Sequence, residues 1–271
     1  MPFADLVLSK RLERAEGRAC VEFAEARRRM FPENGAEWME AGGAYAVFDG
    51  ADSPVTQTFG LGIFEELTGE TLNRIEEFFF ARGANADHEV SPHAGIAALK
   101  LLCERGYRPI EVSSVMYREV TAPAGATAPN IRVRAIDSSE AALWTEISAR
   151  GWSHDHPELY GFLKQFGAIT CARRNGPSFL AEVDGQPGAA GVLCIDGGVA
   201  LFGGSATVPE LRRRGLQSAL LNERMRYAHD HGCDVAMMVA LPGSDSQRNA
   251  ERQGFRIAYT RTKWRRVSQQ S

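Results

Sequence analysis

Residues 208–220 read Val-Pro-Glu-Leu-Arg-Arg-Arg-Gly-Leu-Gln-Ser-Ala-Leu. The apolar run 199–208 that leads into this stretch predicts a strand, and the residues after Gly215 have the apolar spacing of a helix face. The start of a helix presents unpaired main-chain N–H groups and the positive end of the helix dipole. Glycine allows an anion to approach the main chain closely, and the arginines add positive charge. The stretch therefore predicts a diphosphate site where the helix begins.

The spacing excludes two other kinds of phosphate loop. The GxxxxGK[ST] pattern of P-loop proteins is absent, and so is the GxGxxG pattern of dinucleotide-binding folds. Turn sequences at 184–185 and 196–198 separate apolar runs as hairpin turns do, so the preceding strands form a meander. The alternative interpretation is a helix start with a solvated arginine cluster. The order of the flanking strands favours the diphosphate site.

The second half of the chain predicts an α+β layout, a mixed and mostly antiparallel sheet flanked by helices. The predicted elements are a strand at 131–136, helices at 139–150 and 159–166, strands at 178–183, 189–195 and 199–208, a helix at 216–231, a strand at 235–241, a helix from Ser244 to the cap Gly254, and strands at 255–259 and 262–267.

The first half resembles the end of the second half at a constant offset of 148 residues. The matched pairs are Leu72 with Leu220, Gly106 with Gly254, Tyr107 with Phe255, and Arg108 with Arg256. A strand-like run, 110–120, follows as 257–267 does. The shared identities are few, so chance likeness is one explanation. The matching order of elements favours an internal duplication in which the first half has degenerated.

A segment without charge or large apolar side chains separates the two halves. Residues 121–129 read Thr-Ala-Pro-Ala-Gly-Ala-Thr-Ala-Pro, which cannot bury surface and is typical of a stiffened linker. We therefore predict a domain at 1–120, a linker at 121–129 and a second domain at 130–271.

The second half resembles the GNAT superfamily of acyl-CoA N-acyltransferases. The main motif of that family, Arg/Gln-x-x-Gly-x-Gly/Ala after a strand, is matched by 212–217, with Gln217 in place of the final small residue. The next motif of the family is matched by the strand at 235–241, the helix from Ser244, and Gly254-Phe255. The resemblance covers 131–267 well and the first half faintly. It implies a tandem GNAT-like protein with two GNAT-like domains.

The resemblance also implies where acetyl-CoA, the co-substrate, would bind. Its pantetheine arm would lie against the strand near 206–208, its diphosphate on the N–H groups of 213–218, and its thioester between that strand and the strand at 235–241. A main-chain N–H near Val208 would polarise the thioester carbonyl. The implied cofactor-binding residues are Ala206, Thr207, Val208, Arg213, Arg214, Gly215, Leu216, Gln217, Ser218, Ser246 and Asn249.

The catalytic residues are not identified by the sequence. Many family members carry a tyrosine, the acid for the leaving thiolate, at the position of Ala250. Tyr259 is a distant alternative acid. The loop with Trp152, His154 and His156 borders the acceptor pocket in the family, which implies acceptor binding or a proton relay. The alternative is a polar exposed loop, and no further ligands accompany the two histidines, so no metal site is expected.

The first half lacks the diphosphate motif. Residues 64–69, Phe-Glu-Glu-Leu-Thr-Gly, match 212–217 in the offset, and their two carboxylates would repel a diphosphate. We therefore expect this half to have lost coenzyme A binding and to shape the acceptor pocket or support the fold. Asp87, His88 and Glu89 are weaker candidates for facing that pocket.

Composition narrows the function classes further. Net charge is −3, which indicates neither a nucleic-acid nor a membrane partner, and no apolar run approaches the length of a membrane helix. We expect a cytoplasmic acetyltransferase acting on an amine of a small molecule or peptide, and homo-oligomerisation stays open. The alternatives are a non-catalytic acyl-CoA sensor and an interaction module.

Overall fold

A computed structural model describes residues 3–122, 128–154 and 156–268 of the chain. The fold divides into two compact units. The first unit comprises Met1–Arg118 and Met237–Ser271, and the second unit comprises Glu119–Ala236. Most of the predicted linker, 123–127, lies outside the described residues. No described helix combines the length and the apolar character that crossing a membrane requires.

The helices and strands follow one another in an α+β order. They are α1 (Leu6–Met30), β1 (Glu37–Ala41), β2 (Ala44–Phe48), β3 (Gln57–Phe59), α2 (Gly69–Phe80), β4 (Ala86–Val90), α3 (Gly95–Glu104), β5 (Arg108–Glu119), β6 (Ile131–Ala135), α4 (Ala141–Trp152), α5 (Tyr160–Cys171), β7 (Ser178–Val183), β8 (Gln186–Asp196), β9 (Val199–Thr207), α6 (Leu216–Asp230), β10 (Val235–Ala240), α7 (Asp245–Arg252) and β11 (Arg256–Arg266).

The first unit is built on a mixed sheet in the order β1-β2-β3-β4-β11-β5. The strands β3 and β4 pair in parallel, and the other neighbouring pairs in this series are antiparallel. A core of apolar side chains from α2, α3 and the strands includes Leu72, Ile75, Phe79 and Leu102, each fully buried. Leu72, Ile75 and Phe79 thus form the buried face of α2.

The second unit is built on an antiparallel meander, β6-β7-β8-β9. The helices α4 and α6 pack on these strands. Trp144 of α4 is almost fully buried, and its indole N–H donates to the main-chain oxygen of Phe179 at 2.8 Å. The α+β class, the meander and the helix after Gly215 are confirmed.

The end of the chain differs from the prediction in two ways. The two strands expected at 255–259 and 262–267 are one strand, β11, with register shifts at Ile257/Tyr259 and Lys263/Trp264. This strand pairs with β4 and β5 of the first half, so residues 237–271 pack with the first unit, whereas we predicted a domain at 130–271. Without β11, the facing edges of β4 and β5 would have main-chain N–H and C=O groups without hydrogen-bond partners. Strand β11 lies between them and pairs with both.

The elements of the two halves recur at nearly the offset found in the sequence. Strands β5 and β11 begin exactly 148 residues apart, at Arg108 and Arg256, and α3 and α7 both end just before a glycine of the matched pair Gly106 and Gly254. In the β5–β11 ladder Ser113 pairs with Arg261, its own counterpart in the offset. This symmetry supports the predicted internal duplication.

A buried polar network ties α1 to β11. Arg261 is 2% exposed and makes two hydrogen bonds to Glu16, at 2.7 and 2.8 Å. Glu13 is almost fully buried and accepts from Tyr259 Oη at 2.8 Å and from Arg261 at 3.4 Å. Burial raises the pKa of Glu13, and the charge of Arg261 opposes that rise. The guanidinium is thus the group that compensates these buried carboxylates.

We predict that Arg261→Met lowers the free energy of unfolding by about 3–5 kcal/mol, because it leaves buried carboxylates without their cation. The control is Arg248→Met, which removes an exposed ion pair with Asp245 and should cost less than about 1 kcal/mol. Denaturant unfolding measures both values. Equal losses for the two variants would show that the buried network does not hold β11 in place.

Candidate functional site

A tight turn connects β9 to α6 in the second unit. Pro209–Leu211 form one 3-10 turn, and Gly215 has a φ of 86° at the cap position of α6. Arg213 has a φ of 62°, which is uncommon for a non-glycine residue and costs about 1 kcal/mol. Such strain is typical of functional turns. The main chain between β9 and α6 is therefore held in a specific, partly strained shape.

The turn packs closely on β8. Leu211 and Leu216 are buried, and a Cβ atom built on Gly188 would lie 2.5 Å and 2.8 Å from their Cδ1 atoms. A side chain at residue 188 would displace these two leucine side chains, so this glycine leaves room for them beneath the turn. The position of the first turn of α6 thus follows from apolar packing beneath it.

The first turn of α6 has the properties of an anion site. No side chain caps it, and no acidic residue lies within it. Residues Arg213, Arg214, Gln217 and Ser218 around this helix start are exposed. The positive end of a 15-residue helix is therefore open to solvent.

Two of the three arginines, Arg212 and Arg214, bind different partners within the second unit. Arg212 donates to the main-chain oxygens of Thr207 at 3.4 Å and Gly151 at 3.5 Å, which links α4, β9 and the turn. Arg214 pairs with Asp184 at 2.5 Å in the hairpin turn between β7 and β8. Both arginines lie just before α6 in the chain, and both are exposed.

Gln217 replaces a small residue of the GNAT motif and has a structural partner. Its side-chain amide donates to Thr207 Oγ1 at 2.7 Å, across from the first turn of α6 to the last residue of β9. The substitution adds a tie between the strand and the helix. Thr207, Gly215 and Gln217 are thus brought together by the fold.

One main-chain group at the expected thioester position has a partner within the chain. The main-chain N–H of Val208 donates to the oxygen of Gly188 at 2.9 Å, so it continues the β8–β9 ladder. It is already used, and Val208 itself does not supply the donor expected for a thioester carbonyl.

The end of α4 lies against β9. A Cβ atom on Gly151 would lie 2.7 Å from the Cβ of Ala206 and 3.1 Å from the main-chain nitrogen of Thr207. Trp152 follows directly and is 53% exposed. The end of α4, which carries this exposed tryptophan, thus lies against the strand that carries the expected cofactor residues.

The histidines of the following loop are exposed. His156 lies 3.2 Å from Glu158. The pKa of Glu210 lies below its usual value because of its own main-chain N–H, with further contributions from Arg150 and His154. His154 thus lies near the β9–α6 turn. Within the described residues no group of three His, Cys, Asp or Glu side chains has the arrangement of a metal site, and Asp155 lies outside them.

Ser246 and Asn249 lie on α7 of the first unit, and both are exposed. Ala250, at the position of the family's tyrosine, is 3% exposed and packs inward. Tyr259 donates its hydroxyl proton to Glu13, and burial raises its pKa well above the usual value. Its hydroxyl is a buried structural donor, so the alternative acid considered from the sequence is not supported.

The helix start of the first unit that corresponds to α6 is closed. Thr68 caps α2 by accepting from the main-chain N–H of Thr71 at 3.1 Å, and Glu70 lies in the first turn. A side-chain oxygen thus caps the positive end of this helix, and an acidic residue lies in its first turn. The contrast with the open start of α6 agrees with the expected loss of coenzyme A binding.

The polar run on β4 is part of the interior of the first unit. Asp87 accepts two hydrogen bonds from Arg265, at 2.8 and 2.7 Å, and Glu89 forms ion pairs with Arg261 and Lys263. His88 is fully buried beside Tyr107 Oη at 2.8 Å, and burial lowers its pKa to about 4. These contacts give the three residues structural partners.

One buried guanidinium, that of Arg224, was not predicted from the sequence. Arg224 of α6 is 3% exposed, and its hydrogen bonds reach the strands below the helix. The signal was available, because Arg224 stands between Leu220 and Ala228 at the four-residue spacing of the apolar face. A charged residue on that stripe indicates a specific buried partner.

Part of the chain matches the model of a known protein family. Residues 141–255 match the model of the acetyltransferase (GNAT) family. No curated protein sequence matches the chain.

Solved structures with low sequence identity share the fold. A GCN5-related N-acetyltransferase from Kribbella flavida has a TM-score of 0.68 at 17% identity, covering 95% of both chains. A GCN5-related N-acetyltransferase from Sphaerobacter thermophilus has a TM-score of 0.53 at 19% identity, covering 82% of this chain and 76% of that one. A tandem GNAT protein from the clavulanic acid biosynthesis pathway has a TM-score of 0.57 at 10% identity, covering 84% and 83%. Residues 141–255 thus match the GNAT acetyltransferase family, and a tandem GNAT protein shares the fold.

Proposed function

We propose that the chain is an acetyltransferase that moves an acetyl group from acetyl-CoA to an amine of a small molecule or peptide. The observation that carries the proposal is the open, uncapped start of α6, surrounded by exposed arginines. The oxygens of a diphosphate there would accept hydrogen bonds from main-chain N–H groups, and its negative charge would interact favourably with the helix dipole. The corresponding start of α2 is capped by Thr68, so α2 does not offer this arrangement.

The residues at the end of β9 fit the rest of the co-substrate. In our proposal the diphosphate lies on the N–H groups of 213–218, and the pantetheine arm lies along 206–208. Ala206 and Val208 are buried small and apolar side chains, which leaves the main chain as the polar surface of the strand. The bond between Gln217 and Thr207 would hold both segments in one geometry.

The proposed chemistry is direct transfer. Acetyl-CoA supplies the acyl group: the acceptor nitrogen bonds to the thioester carbonyl carbon, the carbon–sulfur bond breaks, and coenzyme A leaves as the thiolate. The nitrogen loses one proton, and the thiolate finally takes one up. The acceptor amine must therefore arrive neutral, through a base or water. We assign no general base.

The loop after α4 is proposed to border the acceptor. Gly151 packs on the end of β9, and the segment with Trp152, His154 and His156 follows directly in the chain. The exposed indole of Trp152 offers an apolar surface, and the two exposed histidines offer ring nitrogens for hydrogen bonds. Their proposed role is acceptor binding, and no metal takes part in it.

A second candidate function, an acyl-CoA sensor without turnover, is favoured by one observation. The buried methyl group of Ala250 replaces the tyrosine that serves as acid in many GNAT proteins. A thiolate leaves readily without an acid, so transfer remains our first proposal. The sensor would keep the open helix start and bind coenzyme A in the same way.

Turnover separates the two functions. We expect purified protein to release coenzyme A thiol from acetyl-CoA in the presence of at least one member of a panel of small-molecule and peptide amines. A thiol-reactive dye measures the release, and protein-free mixtures are the control. Binding of acetyl-CoA without thiol release across the panel would contradict transfer to these acceptors and favour the sensor.

Arg213→Gly tests the diphosphate site without straining the fold. The variant removes a positive charge and relieves a positive φ, so the free energy of unfolding should change by no more than about 1 kcal/mol while acetyl-CoA affinity falls about 3-fold or more. Calorimetric titration and thermal unfolding measure the two effects.

The matched control is Asp184→Gly, which relieves the other described positive φ of a non-glycine residue, 51°, in the same unit. It removes a negative charge near Arg214 and should leave acetyl-CoA affinity equal or stronger. Unchanged affinity in Arg213→Gly would place the diphosphate elsewhere.

A further inference from the structure

The guanidinium of Arg224 is buried without an anionic partner among its described contacts. Its hydrogen bonds go to three main-chain oxygens: Leu220 at 3.2 Å, Val192 at 3.2 Å and Gly203 at 3.3 Å. The face of the Phe202 ring lies 5.1 Å from its Cζ atom. A buried charge held only by neutral groups is costly, and burial lowers the pKa of Arg224 to about 10. The side chain remains charged at neutral pH.

The two strand acceptors of Arg224 lie at an irregularity between β8 and β9. Ala190 pairs with Ala206, but two residues later Val192 pairs with Gly203. The strand β9 thus contains one extra residue here, which is a β-bulge. Gly204 within it has a φ of 55°. The strand bends at this point, immediately before the segment 206–208.

A single nitrogen of Arg224 holds both sides of the bulge. Its Nη1 donates to Val192 on β8 and to Gly203 on β9. Main-chain oxygens at a bulge lose regular ladder partners, and a buried oxygen left unpaired costs about 1–3 kcal/mol. The guanidinium satisfies these oxygens and links the two strands to α6.

A glycine makes room for this contact. A Cβ atom built on Gly191 would lie 3.2 Å from both Cζ and Nη1 of Arg224, and 3.3 Å from Ser205 Oγ. A methyl group there would press on the guanidinium or on the bulge. Gly191 and Arg224 therefore fit together, one supplying the space that the other fills.

The same helix position in the first half carries the opposite charge. The residue 148 before Arg224 is Glu76 on α2. Glu76 is bound by Arg105 and Arg266 and accepts from Tyr107 Oη. The buried cation is thus found in the half that has the open helix start, and the half with the capped helix start has a carboxylate instead.

From these contacts we infer that Arg224 is a positioning residue for the co-substrate. It holds the bulge of β9 and thereby fixes the direction in which the main chain of 206–208 faces the pantetheine arm. This inference rests on the proposed function for its ligand. The role of Arg224 at the bulge does not depend on which ligand the protein binds.

The experiment compares Arg224→Met, Arg224→Lys and Gly191→Ala with wild type. The control is Arg27→Lys, which alters a buried arginine of the first unit that binds Asp49 through two hydrogen bonds at 2.7 and 3.0 Å. Amide hydrogen exchange is followed in peptides covering 201–208 and 178–183, and acetyl-CoA affinity is measured by calorimetric titration. Thermal unfolding reports the overall stability of each variant.

We expect Arg224→Met and Gly191→Ala to lower protection at 201–208 about 10-fold or more, with 178–183 unchanged, and to weaken acetyl-CoA binding about 10-fold. Arg224→Lys should lie between wild type and Arg224→Met, because its ammonium group keeps some donors. Arg27→Lys should lower thermal stability without changing exchange at 201–208 or affinity. If Arg224→Met does not fold, Gly191→Ala and Arg224→Lys decide the question.

Two results would overturn the inference. One is equal loss of protection at 201–208 and 178–183, which means a general loss of stability. The other is selective loss at 201–208 with unchanged acetyl-CoA affinity, which separates the bulge from binding. If wild type binds no acetyl-CoA, the proposed function fails, and selective loss of protection at 201–208 still upholds the role of Arg224 at the bulge.

Discussion

The uncapped start of α6 is the feature on which the proposed co-substrate site depends. A side chain can satisfy the free N–H groups of a helix N-terminus, as Thr68 does in α2 and Ser244 does in α7. At α6 the cap position is Gly215, and no side chain takes the place of the cap. Packing of Leu211 and Leu216 against Gly188 fixes this helix start in a defined position. The chain thus maintains, at some cost in stability, a positive helix end that suits an anion.

The two halves share an order of elements but carry side chains of opposite charge at several matched positions. Elements recur at an offset near 148 residues, and Ser113 pairs with its counterpart Arg261 in the β5–β11 ladder. At matched positions the second half has arginines before its helix where the first half has carboxylates, and Arg224 where the first half has Glu76. We propose that the first half keeps the scaffold and the second half keeps the chemistry.

The sequence alone predicted those features that depend on residues close together in the chain. Glycine and Asp-Gly turns, apolar periodicity and the basic turn predicted the meander and α6 correctly, because these depend on neighbouring residues. The pairing of β11 with β4 and β5 was not predictable, since strand partners distant in sequence leave no periodic signal. The use of the Val208 N–H by Gly188 and the bulge beneath Arg224 also depend on tertiary register. Arg224 alone carried a signal that could have been read, as a charge on an apolar face.

The most direct test of the central claim is calorimetric titration of acetyl-CoA into wild type, Gly215→Glu and Gly232→Glu. The first variant places bulk and negative charge at the open start of α6, and the second makes the same change at a positive-φ glycine just beyond the other end of that helix. We predict binding by wild type and Gly232→Glu and none by Gly215→Glu. Equal binding by all three proteins, or by none, would contradict a diphosphate site at the start of α6.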